Sequence, residues 1–95
     1  MFLFNLTYVK PLDEIERLLP AHIAFLDAFY AGGKFLCSGR KEPRTGGVIL
    51  CRCESRREAE KIRDQDPFYR EGAADYEIIE FLPTKTSESF QALLG

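Results

Sequence analysis

The order of elements that the chain spells out, β-α-β-β-α-β, predicts an α+β fold: one four-stranded antiparallel sheet with both helices on one face. Three observations carry this. Four stretches read as strands: Phe2–Val9, Lys34–Arg40, Val48–Cys53 and Tyr76–Leu82. Helical patterns separate the first from the second and the third from the fourth, while turn residues from Pro43 to Gly47 leave a hairpin in the middle. This is the split arrangement of ferredoxin-like folds. Ninety-five residues that are 45% hydrophobic and 13% aromatic make one domain, residues 1–95, with a tail from 83 onward.

In the first strand Phe2, Phe4, Leu6 and Tyr8 share one face, and Leu3, Asn5, Thr7 and Val9 the other. Both faces are partly apolar, as in a central strand. Pro11 closes the strand, and Asp13 to Leu19 reads as a helical turn or two with acids at its N-terminal end. Pro20 interrupts the pattern, which places it in the first turn of a second, stronger helix from about Ala21 to Ala31. That helix has a stripe of Phe25, Leu26 and Phe29, and Gly32-Gly33 stops it. His22, the chain's single histidine, then lies near a helix N-terminus.

Gly39 in the second strand marks a bulge or a close backbone approach. Ser55 and Glu58 form a capping box for a surface helix that runs to about Gln65, with Ala59 and Ile62 as its thin buried stripe. Pro67 disfavours helix at Asp66, so this carboxylate sits where the helix gives way to an aromatic loop. The tail is polar until Phe90, Leu93 and Leu94, which form a short helix that docks on the body or on a partner.

Composition narrows the function. A net charge of −2 gives no basic field for nucleic acid. Phe2–Val9 is too short and too polar for a signal or membrane segment, and nothing reaches the roughly 18 apolar residues of a span, so a cytoplasmic protein is expected. Cys37, Cys51 and Cys53 lack metal-type spacing and read as small buried hydrophobes; no metal or cofactor is predicted. The sheet face away from the helices must also be covered: Phe2, Phe4, Leu6 and Tyr8 point to that side and would leave a large apolar patch. Face-to-face pairing of two sheets in a two-fold homodimer would cover it.

Pro20-Ala21-His22, Ser38-Gly39, Glu42-Pro43-Arg44-Thr45-Gly46-Gly47-Val48-Ile49-Leu50, Asp66-Pro67-Phe68 with Gly72, and Tyr76-Glu77-Ile78-Ile79-Glu80-Phe81 follow one another in this order. Together they resemble the YciI-like (YCII-related) family over nearly the whole chain. The resemblance implies a dimeric α+β barrel of ferredoxin-like protomers, with an active site built around a histidine and an aspartate. These carry over to His22 and Asp66, with Ser38 lining the same cleft. Many relatives have proline after the Ser-Gly pair where this chain has Arg40, which alters the charge of that part of the cleft. One branch of the family acts as a dehydrochlorinase in chloroaromatic degradation.

A carboxylate bonded to one imidazole nitrogen fixes the tautomer and favours the cation, leaving the other nitrogen to move a proton, whereas a helix N-terminus disfavours the cation. Asp66 also has a structural reading, as a helix-end residue that satisfies backbone N–H groups. Ser38 is expected to hydrogen-bond a ligand, and Arg40 and Arg44 to receive its carboxylate or phosphate. Phe68 and Tyr69 read as core. The expected function is cofactor-independent acid/base chemistry, elimination or isomerisation, on a small molecule; the alternative is a non-catalytic dimeric binding or accessory module.

Overall fold

The computed structural model describes residues 1–94, apart from the side chain of Leu94; the reading of Leu94 as a docking residue, and Gly95, lie outside the described residues. The elements are β1 (Phe2–Tyr8), α1 (Leu12–Ala31), β2 (Phe35–Arg40), β3 (Gly46–Cys51), α2 (Arg56–Arg63), α3 (Pro67–Arg70), β4 (Ala74–Glu80) and α4 (Glu88–Leu94). The strands form one antiparallel sheet in the order β2-β3-β1-β4, which is the ferredoxin-like α+β arrangement. β1 lies inside it, paired with β3 from Phe2↔Cys51 to Thr7↔Gly46 and with β4 from Phe2↔Glu80 to Tyr8↔Ala74.

Phe2, Phe4 and Leu6 are buried, and they form the core with Ile49, Cys51 and Ile78 of the neighbouring strands and with Ile15, Leu18, Phe25, Ala59 and Ile62 of the helices. This corrects the expectation that Phe2, Phe4, Leu6 and Tyr8 face a second sheet: they face the helices. Alternation says which residues share a side, and says nothing of which side the helices cover. The opposite face carries the row Leu50, Leu3 and Ile79, paired across three strands, and below it Val48, Asn5 and Glu77. Leu3, Val48 and Leu50 are half-buried and Ile79 is exposed.

Pro20 does not divide α1. The helix runs unbroken for 20 residues with Pro20 inside it, on the exposed side. An interior proline costs about 3 kcal/mol, through the lost hydrogen bond and the clash with the preceding turn. Ile15, Leu18, His22 and Phe25 form one buried stripe across the proline, and burial of each apolar member contributes roughly 1.5–3 kcal/mol, which outweighs that cost. His22 is therefore a mid-helix residue, and the N-terminal dipole does not act on it. The helix stops as expected: Gly33 takes a positive φ of 76°, while Gly33 N–H donates to Tyr30 O and Lys34 N–H to Phe29 O.

The irregularity of β2 falls between Phe35 and Cys37, not at Gly39. The close approach is at Gly46, where a Cβ would lie 1.8 Å from the Leu6 carbonyl oxygen, so the root of the hairpin is pressed onto the backbone of β1. α2 begins at the expected cap, with Ser55 Oγ accepting from Glu58 N–H at 3.1 Å. The Glu58 carboxylate reaches Glu54 N–H at 2.8 Å and Lys34 Nζ at 2.9 Å. α2 ends at Arg63, and the expected aromatic loop is a single turn, α3, with Pro67 at its start. In the tail, Arg52 donates to the Leu93 carbonyl, which ties α4 to the residue after β3. Among the described residues no helix is long and apolar enough to cross a membrane.

Candidate functional site

α1 and α3 are brought together by buried contacts of His22. His22 Nδ1 lies 2.8 Å from Asp66 Oδ1, across 44 positions of sequence. Asp66 is fully buried and caps α3, since the same Oδ1 accepts from Phe68 N–H at 2.9 Å. Its other oxygen, Oδ2, accepts from the Tyr76 hydroxyl, which reaches in from β4. A buried carboxylate is tolerable only when such donors replace water, and here three converge on one side chain. The structural and chemical readings of Asp66 thus describe one group.

The imidazole is held by packing as well. It stacks on Phe68 with ring centroids 4.0 Å apart and planes 12° from parallel, and Phe25 lies at 5.9 Å. Phe68 is itself fixed edge-on by Tyr8 at 5.8 Å. Nδ1 is thus oriented by Asp66, while Nε2 has no protein partner among the described residues. No buried side-chain nitrogen or oxygen there is left unpaired, so Nε2 keeps access to solvent, and His22 lines the adjoining cleft.

That cleft has a volume of about 240 Å³. Its walls are mostly apolar, from Leu6, Leu19, Ile23, Leu26, Ile49 and Phe68, with His22 on one side and Ser38, Arg40 and Arg44 around the opening. All five residues singled out from the sequence therefore border or support one hollow. Ser38 Oγ is 2.6 Å from the Tyr30 hydroxyl. Arg44 Nη1 donates to Glu16 Oε1 at 2.6 Å, which joins the hairpin to α1; the Glu16 carboxylate raises the pKa of Arg44, and the Tyr8 hydroxyl adds to this. Arg40 is exposed and meets Glu42 at 3.5 Å.

Tyr8, Glu16 and Tyr76 are the participants that sequence reasoning missed. Tyr76 was legible in principle: it alternates with Ile78 on the buried side of its strand, and a tyrosine so placed needs a partner for its hydroxyl. Burial, with the Asp66 charge second, pushes the Tyr76 phenol far above its ordinary range. Phe68 is core, as expected, but Tyr69 is exposed, with the Arg63 guanidinium 4.5 Å over its ring. Of the cysteines, Cys51 is buried and its thiol is pushed up to about 12 by desolvation; Cys53 is half-buried and also raised by burial. Cys37 is exposed, because the bulge in β2 turns it to the open sheet face beside Leu50. Among the described residues no three His, Cys, Asp or Glu side chains gather as a metal site.

Comparison with known proteins fits this frame. The family model for the YCII-related domain matches residues 1–82. The chain belongs to the YCII-related family. No curated protein matches it by sequence. Among solved structures, this YCII-related domain is similar to 5-chloro-2-hydroxyhydroquinone dehydrochlorinase from Burkholderia phenoliruptrix in complex with 2,5-dihydroxybenzoquinone. The TM-score is 0.72 at 20% identity, over 86% of this chain and 94% of that one. At that identity the likeness is one of fold.

Proposed function

We propose that this YCII-related domain is a small-molecule enzyme in which His22, held by Asp66, transfers a proton during an elimination or isomerisation. The observation that carries the reading is the 2.8 Å contact between Nδ1 and a buried carboxylate, on a histidine that lines a cleft. Nε2 takes a proton from substrate carbon or oxygen, and the carboxylate stabilises the imidazolium so formed. In an elimination the electron pair left behind forms the new double bond and expels the leaving group; in an isomerisation the same proton returns at another atom. Arg40 and Arg44 receive an anionic group of the substrate, and Ser38 hydrogen-bonds it.

The dehydrochlorinase relative supplies a probe. Chloride release from 5-chloro-2-hydroxyhydroquinone and binding of 2,5-dihydroxybenzoquinone are measured for the native protein and for His22→Ala and Asp66→Asn. Chloride release that disappears in both variants, with binding kept in His22→Ala, supports the enzyme. A second reading, a non-catalytic binding module, is favoured by the structural work Asp66 already does as the cap of α3. Turnover unchanged in both folded variants would sink the acid/base role.

Homodimerisation belongs to the same proposal, through the open face that carries Leu3, Val48, Leu50 and Ile79, with two sheets closing into an α+β barrel. Sedimentation at micromolar concentration tests it: a dimer is expected, and Leu50→Glu should yield monomers.

A further inference from the structure

Tyr76 lies on the far side of Asp66 from His22, and the dyad by itself gives it no role. Its hydroxyl meets Asp66 Oδ2, and the carboxylate is otherwise occupied on Oδ1 by His22 and by Phe68 N–H. The phenol is half-buried, and burial keeps its proton on. The Phe68 amide can only donate, and the phenol, with its proton kept, donates to Oδ2, so both oxygens act as acceptors. An acceptor carboxylate facing Nδ1 requires the imidazole to bring the proton there.

We infer that Tyr76 is a positioning residue: by holding Asp66 as an acceptor on both oxygens it sets neutral His22 in the Nδ1–H tautomer, with the Nε2 lone pair aimed into the cleft. In this state the imidazole is a base towards whatever occupies the hollow. Without the phenol, Oδ2 loses its one partner among the described residues, and the plane of the carboxylate is held from one edge. The inference deepens the acid/base reading and rests on it for its use, though the tautomer itself can be measured without any substrate.

The chain's single histidine makes that measurement unambiguous. Protein labelled with ¹⁵N-histidine is examined by long-range ¹H–¹⁵N correlation at a pH where the ring is neutral. The native protein should show a protonated, pyrrole-type Nδ1 and an unprotonated, pyridine-type Nε2. Tyr76→Phe keeps the ring that packs on Phe4 and Tyr69, each at 5.7 Å, and should move the two nitrogen shifts towards each other as the tautomers mix. A merely structural tyrosine would lower stability and leave the shifts in place, and that result would overturn the inference. So would an Nε2–H form in the native protein, which needs no variant to fold. If instead the shifts behave as expected while His22→Ala retains full chloride release, the enzymatic proposal fails and the role of Tyr76 stands. If His22→Ala and Asp66→Asn abolish release but Tyr76→Phe leaves the tautomer intact, the enzymatic proposal stands and the role of Tyr76 fails.

Discussion

The two parts of the site are built on opposite rules. On the deep side, His22 and Phe68 line the cleft with Asp66 and Tyr76 behind them; the four come from three different elements, and each carboxylate oxygen of Asp66 has a donor from the protein. At the opening, Arg40 and Arg44 belong to one hairpin and are paired with partially exposed acids, Glu42 and Glu16. The deep side cannot lose a member without stranding another, while the rim can exchange its partners for water. Stability and proton transfer should therefore concentrate on the first, and charge preference on the second.

The largest effect should come from Asp66→Ala. It strands the imidazole N–H, the Phe68 amide and the Tyr76 phenol in a largely buried site, and about 3–5 kcal/mol should be lost in urea unfolding. A loss below about 1 kcal/mol would erase the contrast between the two sides. Next, under the proposed acid/base role, His22→Ala should keep the fold and lower any chloride release from 5-chloro-2-hydroxyhydroquinone by about a hundredfold or more, the range of a lost general base. Arg44→Ala should weaken binding of 2,5-dihydroxybenzoquinone by about tenfold with kcat nearly kept, as expected of an arginine that binds without reacting. An equal fall in kcat and kcat/KM would move Arg44 from the rim to the chemistry.

The smallest effect is alkaline. Folding raises the thiol of Cys51 from 9.0 to about 12 and also raises the phenol of Tyr76. The folded chain therefore keeps protons that the unfolded chain gives up, and stability falls as pH climbs above about 9. Near pH 10 Cys51 should account for roughly 1 kcal/mol of loss. Cys51→Ala should flatten that part of the curve in thermal melts.

The strand pattern, the hairpin, the cap at Ser55 and the glycine stop after α1 were all readable, because each depends on neighbours a few residues away. The meeting of His22 with Asp66 was reachable through family resemblance alone, since no local rule joins residues 44 positions apart. Two errors share a cause. Local propensity makes Pro20 a boundary and Phe2, Phe4 and Leu6 an outer face, and in both places tertiary burial against the sheet decides otherwise. Tyr76 was overlooked because its partner became visible only once β4 was placed beneath α3.

Gly46 has a further consequence. No side chain fits between it and the Leu6 carbonyl, so the base of the hairpin is anchored while the segment from Lys41 to Thr45 projects beyond that anchor. A combinatorial library confined to those five positions would vary the arm, Arg44 included, and leave the contact of Gly46 with β1 in place. The same diversity introduced one residue later would pry the whole arm off the scaffold.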